Sequence, residues 1–168
     1  MSDTSTSEAP KNWGKCALNE LVEFSPKIPV DVLRVNAELS FVPMPSVAEV
    51  SGHVDTSRSI TVSEGKRRNL TYFADGDVIF AKITPCMENG KIARPIGLTG
   101  VAAFGSTEFH VMRPSSRING EFLMLFLVHD DFMYDADRAM TGAVVQRRAS
   151  LSRAHEAALR GSIHVCAL

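Results

Sequence analysis

The sequence predicts an α+β fold, because segments with the pattern of β-strands come first and segments with the pattern of helices follow. Strand-like apolar runs crowd together between residues 70 and 114. From Asn119 onward the apolar residues recur at helical spacing instead. At 168 residues the chain suits one domain with a buried core.

The first third of the chain predicts short elements interrupted by proline. "WGKCALNELVEF", residues 13–24, has the spacing of a short helix or of a helix that leads into a strand. The prolines of "SPKIPV" prevent that helix from continuing. "LSFVPMPSVAEV" predicts an extended segment, which Pro43 and Pro45 confine to a sheet edge or a loop. Residues 51–69 are polar and end in a basic triplet, so they predict the longest loop.

The central part predicts strands joined by tight turns. "LTYFADGDVIFAKI" contains a strand, an Asp-Gly turn at Asp75-Gly76 and a second strand. The Asn89-Gly90 pair favours positive φ and predicts a hairpin turn into a third strand, "KIARPI". "VAAF" and "TEFHVMRP" predict two more strands.

The last predicted strand and the helical region that follows it differ in their period. In "TEFHVMRP" we expect Phe109 and Val111 to face inward and His110 and Met112 to face outward, or the reverse. After it, "NGEFLMLFLVHDDFMYDADRAM" predicts two helices or one bent helix packed against the sheet.

Composition favours a cytoplasmic protein that does not enter a membrane. No apolar run approaches the roughly 20 residues that span a bilayer, and the polar start lacks the pattern of a signal peptide. The three cysteines, Cys16, Cys86 and Cys166, are scattered, so a disulfide framework or a zinc site is not expected. The net charge is only −1, but residues 58–94 carry seven basic against four acidic side chains. Such a segment predicts either a solvated surface or part of an electrostatic footprint for nucleic acid.

Patterns of catalysis and of cofactor or metal binding are missing. Gly90-Lys91 is followed by Ile92, which breaks the phosphate-binding G-x-x-x-x-G-K-[ST] motif. There is no G-x-S-x-G elbow, and the histidines are dispersed. A small hydrolase that uses His53 or Cys86 is the least favoured alternative. The sequence therefore predicts no catalytic residue, no cofactor and no metal.

Donor side chains gather around the predicted hairpin. Lys82, Thr84, Asn89 and Lys91 lie at the ends of adjacent predicted strands, and side chains of these types contact phosphates or base edges in DNA. The competing interpretation is that Asn89-Gly90 only closes a turn and the lysines keep an edge strand soluble.

Two motifs resemble a known family. "YFADGDVIFAKITPCMENGKIA" and "GSTEFHVMRP" are similar to a target recognition domain of the DNA-specificity subunit of type I restriction–modification systems. That family shows a Gly-Asp-aliphatic strand, an Ile-Thr-Pro turn, an Asn-Gly-Lys turn and a strand that ends in Arg-Pro. "WGKCALNELVEF" resembles its entry segment, and "MTGAVVQRR" resembles its segment after the helices.

The resemblance implies a twisted, mostly antiparallel sheet or partial barrel with packed helices. The resemblance implies a recognition domain at residues 13–148, and the polar composition of residues 1–12 predicts a flexible leader before it. Such a domain reads one half of a bipartite double-stranded DNA target and has no catalytic residues or cofactor of its own. Within such a domain, we predict that the four hairpin residues contact DNA and that Arg67, Arg68, Arg147 and Arg148 contact phosphates. The loop at 51–69 is the alternative place for base-reading residues.

The implied partners are methyltransferase (modification) subunits, the restriction subunit and a second specificity domain. The long helix that docks the methyltransferase in the family is not evident in residues 149–168, an atypical tail with a short helical pattern at 151–159. The chain is therefore expected to be a truncated or frame-shifted copy, or a half-subunit that pairs with another. The alternative is a protein-interaction module that no longer binds DNA.

Overall fold

Two four-stranded sheets form the body of the chain, and the computed structural model describes residues 13–32, 37–82, 86, 89–129 and 162–166. The strands are β1 Trp13–Ala17, β2 Val22–Phe24, β3 Glu38–Val42, β4 Ser59–Thr61, β5 Thr71–Ala74, β6 Val78–Ala81, β7 Ile92–Ala93, β8 Ala102–Gly105, β9 Phe109–Pro114 and β10 Ser162–Cys166. The helices are α1 Val62–Arg67 and α2 Gly120–Leu127. Short 3₁₀ turns cover Leu18–Glu20, Val30–Val32, Met44–Ser46 and Thr99–Val101.

The two sheets differ in strand direction. Sheet I has the order β2-β9-β6-β7 and is antiparallel throughout. Sheet II has the order β4-β3-β8-β5, in which β3 and β8 run parallel. Strands β1 and β10 form a separate antiparallel pair. Among the described residues neither sheet closes into a barrel, and the predicted α+β fold is confirmed.

Apolar side chains fill three layers, one between the sheets and one on each outer face. In β6, Ile79 belongs to the cluster between the sheets, whereas Val78 and Phe80 belong to the cluster beneath α2. In β8, Ala103 faces inward and Phe104 belongs to the cluster beneath α1. The inner strands are therefore buried on both faces, which explains why their sequences are continuous apolar runs rather than alternating ones.

Because both faces of β9 are buried as well, the expected alternation of inward-facing and outward-facing side chains in this strand is wrong. Phe109, His110, Val111 and Met112 are all buried. Met112 packs under α2, while Phe109 and Val111 pack between the sheets. A period of two cannot separate inside from outside in a strand that has a core on each face.

The predicted loop at 51–69 is wrong in its second half, where the structure has β4 and α1. Ile60 and Val62 are buried on sheet II, and the Thr61 hydroxyl caps the helix by accepting a hydrogen bond from the Glu64 amide at 3.3 Å. Gly65 lets the helix approach the sheet closely, since a Cβ there would lie 2.4 Å from the Phe104 ring. The segment contains few apolar residues, so its polar composition predicts a loop and not a strand followed by a helix.

Other predicted elements agree with the structure where it describes them. The helix expected from Asn119 begins as α2, whose first amides bond to the Asn119 side chain. Near the start of the chain, residues 13–24 form strand β1, one 3₁₀ turn and strand β2, so the short helix expected there is reduced to a single turn. In the tail, strand β10 was not predicted, while the leader at 1–12 and the short helix at 151–159 lie outside the described residues.

Candidate nucleic-acid interface

Strand order brings several loops to one edge of the two sheets. Val42, at the end of β3, pairs opposite Gly105, at the end of β8, and the start of β5 lies beside them at Thr71. In sheet I the end of β6 at Ala81 pairs with the start of β9 at Phe109. Residues 105–108 join the two sheets at this edge, so the loops of both sheets lie together. We call this region the loop edge, and among the described residues it comprises 25–28, 43–58, 64–71, 82, 86, 89–91 and 105–108.

A cleft of about 480 Å³ opens at the loop edge. Its walls include Tyr72 and Phe109, and its polar lining includes Lys27, Asn69 and Lys82. Serine and threonine hydroxyls complete the polar lining, and no carboxylate lines the cleft among the described residues. A cleft lined by two lysines, an asparagine and hydroxyl-bearing residues has the composition of an anion site.

Lys82 is the sequence-predicted residue that lines this cleft. Its ammonium donates a hydrogen bond to the Thr107 carbonyl at 3.0 Å, and its backbone amide bonds to the Glu108 carbonyl at 2.8 Å. Burial lowers the pKa of Lys82 below the ordinary value of lysine, an effect that the charge of Glu108 partly opposes. An ammonium carries three hydrogens, so the bond to Thr107 leaves capacity for a ligand.

The basic triplet at the end of α1 flanks the cleft through Asn69. Arg67 and Arg68 each lie 3.7 Å from the Glu64 carboxylate, and the guanidinium carbon of Arg68 lies 5.1 Å from the centre of the Phe41 ring. Exposed ion pairs of this kind contribute about 0–1 kcal/mol. The arginines can therefore exchange Glu64 for phosphate at little cost.

Asn89 and Lys91 belong to the loop edge, but their side chains bond within the protein. The Asn89 amide donates to the Glu49 carboxylate at 2.9 Å, and the Lys91 ammonium donates to the Val47 carbonyl at 2.8 Å. The predicted hairpin is present, because β6 pairs with β7 and Gly90 has a φ of 63°. These two residues therefore contact segment 47–49 and do not line the cleft.

The remaining predicted contacts, Thr84, Arg147 and Arg148, lie outside the described residues. Sequence reasoning missed Lys27, which reaches the cleft because Ser25 bonds to Val111 across sheet I, through its amide, at 2.9 Å. No local pattern in "SPKIPV" indicates that long-range contact.

Charge at the loop edge is net positive in the part of the chain that the structure describes. Its basic residues are Lys27, Arg58, Lys66, Arg67, Arg68, Lys82 and Lys91. Its acidic residues are Glu49, Asp55, Glu64 and Glu108. Seven basic against four acidic side chains leave an excess of three positive charges among these described residues. Counting Glu88, which belongs to the same stretch of sequence but lies outside the described residues, lowers the excess to two.

The described ranges hold no group of three histidine, cysteine or carboxylate side chains placed to bind a metal ion. They also hold no helix that is both long enough and apolar enough to span a bilayer.

Curated proteins similar to this chain are specificity subunits. The chain is 38% identical over 144 residues to the type I restriction enzyme EcoAI specificity subunit of Escherichia coli, a match that covers 84% of this chain and 24% of that protein. It is 37% identical over 144 residues to the EcoEI specificity subunit of the same organism, covering 84% and 23%. The chain thus spans about a quarter of the length of these relatives. No protein-family model matches it.

Solved structures share the fold. The HsdS subunit from Thermoanaerobacter tengcongensis superposes with a TM-score of 0.70 at 21% identity, covering 98% of this chain and 40% of that one. A chain from a structure described as the basis of complex assembly and conformational transition of the type I R-M system gives a TM-score of 0.64 at 18% identity, covering 93% and 38%. Together with the curated relatives, these matches confirm the resemblance that the two sequence motifs indicate.

Proposed function

Since this chain is related to the type I restriction enzyme specificity subunits over 84% of its length, we propose that it binds double-stranded DNA and reads one half-site of a bipartite target. In this function it is the specificity component of a type I restriction–modification complex and leaves methylation and cleavage to partner subunits. The recognition domain corresponds to residues 13–148. It needs no cofactor of its own.

The observation that carries the proposal is the positive, concave loop edge. A cleft lined by two lysines lies beside the exposed arginines at the end of α1. DNA, the ligand that we infer from the family relationship, carries the opposite charge. Lysine and arginine on phosphates fix the register of a protein on a duplex and supply affinity that depends on salt.

We assign a role to each described basic residue from the exposure of its side chain and from the hydrogen bonds and ion pairs that it makes within the protein. Arg67 and Arg68 contact phosphates beside the cleft, and Lys82 contacts one inside it. Thr84, Arg147 and Arg148, which lie outside the described residues, remain proposed DNA contacts on the basis of the sequence alone.

The proposed partners match the specificity role. Methyltransferase subunits and the restriction subunit assemble with the chain, and a second specificity domain supplies the other half-site. The complex works in the cytoplasm.

The test is a titration of the full chain against a fluorescent random-sequence duplex, read by anisotropy at about 50 mM and 200 mM salt. We expect binding that weakens steeply with salt. A selection from a randomised duplex pool then reports sequence preference, and a preferred half-site should lose roughly fivefold to more than a hundredfold in affinity per changed base pair.

The contrary result is a chain that unfolds cooperatively, and is therefore folded, yet binds no duplex at the lower salt concentration. That result would favour the alternative of a protein-interaction module without DNA binding. Binding to the random duplex without any enriched sequence would contradict the half-site role while leaving DNA binding in place.

A further inference from the structure

The loop between β3 and β4 carries a closed, projecting tip at Glu49–His53. Val47 and Val54 form an antiparallel bridge at its base, and the Ala48 amide donates to the His53 carbonyl at 2.9 Å. Within the tip, the His53 amide donates to the Ser51 hydroxyl at 3.3 Å. The tip is therefore a small structured hairpin rather than an open loop.

The Asn89–Lys91 turn supports this tip through three hydrogen bonds. The Asn89 side chain bonds to Glu49, and the Lys91 side chain bonds to the Val47 carbonyl, at 2.9 and 2.8 Å. Between them, the Val50 amide donates to the Gly90 carbonyl at 3.0 Å. The polar groups that follow the apolar strand β6 thus hold a second loop that lies about 40 residues away in the chain.

A second element supports the tip from another direction. A Cβ on Gly52 would lie 3.1 Å from the Met124 sulfur, so the backbone of the tip lies directly against α2. Gly52 has a φ of 69°, a conformation that suits glycine. Contacts on two sides fix the position of the tip relative to sheet I.

Val50 at the tip combines backbone strain with exposure. Its φ is 60°, which is a genuine outlier for a β-branched residue, and the residue is 73% exposed. The valine gains little by packing inside the free protein. Strained backbone of this kind clusters at sites of binding or catalysis.

We propose that the tip Glu49–His53 reads bases in a DNA groove and that Asn89 and Lys91 are positioning residues for it, an inference that rests on the proposed function. Val50 is suited to apolar contact with a thymine methyl, and Ser51 and His53 offer hydrogen-bonding groups for base edges. The major groove admits a two-stranded ribbon, which is the form of this tip.

The tip and the cleft are placed to act on one duplex. The Ala81 amide bonds to the Lys91 carbonyl at 3.0 Å. Lys82 directly follows β6 and Lys91 directly precedes β7, so the two residues lie at paired strand ends. The Lys82 side chain turns to Thr107 at the cleft, and the Lys91 side chain turns to Val47 at the base of the tip. Phosphate contacts at the cleft would therefore flank base contacts at the tip.

The experiment compares DNA discrimination by the full chain and by variants at the tip. Duplexes that the unmodified protein enriches from a randomised pool are tested against versions with one changed base pair, and a random duplex reports general affinity. We expect Val50→Gly and the double variant Ser51→Ala/His53→Ala to lose about tenfold discrimination at particular positions. Affinity for the random duplex should stay within about twofold.

Val101→Gly is the matched control. Val101 is also an exposed β-branched residue with positive φ, at 65% exposure and 56°, but it precedes β8 at the opposite edge of sheet II. Glycine there relieves the same kind of strain and should leave discrimination unchanged. Thermal unfolding of each variant verifies that it is folded.

The role of Lys91 is separated from phosphate binding by its salt dependence. Lys91→Met should discriminate less between base pairs, while the salt slope for the random duplex stays unchanged. Lys91→Arg keeps a hydrogen-bond donor and should therefore retain much of the discrimination. A slope that falls by about one in Lys91→Met would identify a phosphate contact and overturn the positioning role.

Failure of this inference differs from failure of the proposed function. If the tip variants keep the base preference of the unmodified protein, the inference is overturned and half-site binding still stands. If the unmodified protein binds no duplex, both are overturned.

Discussion

Arg113 donates two parallel hydrogen bonds to the buried carboxylate of Asp77, each 2.8 Å long and each to a different oxygen. One of these oxygens also accepts the Ala74 amide at 2.8 Å. Asp77 belongs to the motif "GDVIF" and Arg113 to "HVMRP". Two motifs that carry the family resemblance therefore meet in a structural ion pair, at the edge of sheet I away from the loop edge.

Removing the cation of this pair should destabilise the fold. In Arg113→Met the Asp77 carboxylate, whose side chain is 2% exposed, keeps its charge without its partner. Loss of one partner of a buried pair costs about 3–5 kcal/mol, and we expect the lower end because 32% of the Arg113 side chain is exposed. Urea unfolding measures the free energy.

Arg67→Met is the control for this prediction. Its ion pair with Glu64 is 3.7 Å long and the arginine side chain is 77% exposed, so its loss should cost under about 1 kcal/mol. Equal losses in the two variants would mean that the buried pair contributes no more than a surface pair.

Gly65→Ala should destabilise the protein although alanine is the better helix former. The added methyl would lie 2.4 Å from the Phe104 ring, and overpacking of this kind costs about 1–3 kcal/mol. Ser63→Ala, an exposed change on the same helix, should stay within about 0.5 kcal/mol. A Gly65→Ala variant that gained stability in urea unfolding would show that α1 does not lie closely on sheet II.

Neutralising the basic triplet should weaken DNA binding without changing base preference. In the triple variant Lys66→Gln, Arg67→Gln, Arg68→Gln we expect uniform loss across sequences and a salt slope lower by about one for each phosphate contact removed. Anisotropy titrations at several salt concentrations measure both quantities.

Arg117→Gln is the matched control for the triplet. Arg117 is exposed but follows β9 at the opposite edge, where it bonds to the Glu20 carbonyl at 3.5 Å. If this variant lowered the slope as much as loss of a triplet residue, the duplex would not be confined to the loop edge.

Lys82 should make stability depend on pH in the alkaline range. Burial lowers its pKa in the folded state below the ordinary 10.5, so between these two values the unfolded chain binds more protons at this group. The free energy of unfolding then rises with pH across that interval. Subtracting the free energy of unfolding of Lys82→Met at each pH removes the contribution of the other titrating groups. The difference between the two proteins should be constant below the lowered pKa of Lys82 and rise with pH above it. Parallel curves throughout would contradict the burial of this ammonium.

Local signals predicted the elements whose causes are local. Asn89-Gly90 predicted a hairpin because Gly90 needs positive φ, and the change of period at Asn119 predicted α2 because its cap and first turn are adjacent in sequence. Helix α1 was missed because it is six residues long and depends on the contact between Gly65 and Phe104.

The arrangement of the candidate site could not be predicted, because long-range pairings create it. Asn89 and Lys91 were correctly placed near a strand end, but their partners Glu49 and Val47 lie 40 and 44 residues away. Lys27 reaches the cleft only because β2 pairs with β9. Residue type indicated the chemistry of the surface, and topology decides which of these residues line the cleft.

The pairing of β1 with β10 has a consequence for engineering. Trp13 lies opposite Cys166, so the backbone enters and leaves the described structure at neighbouring points. Polypeptides with adjacent entry and exit tolerate circular permutation and insertion into a host protein. The unit could therefore be grafted between two helices of an unrelated scaffold without pulling its sheets apart.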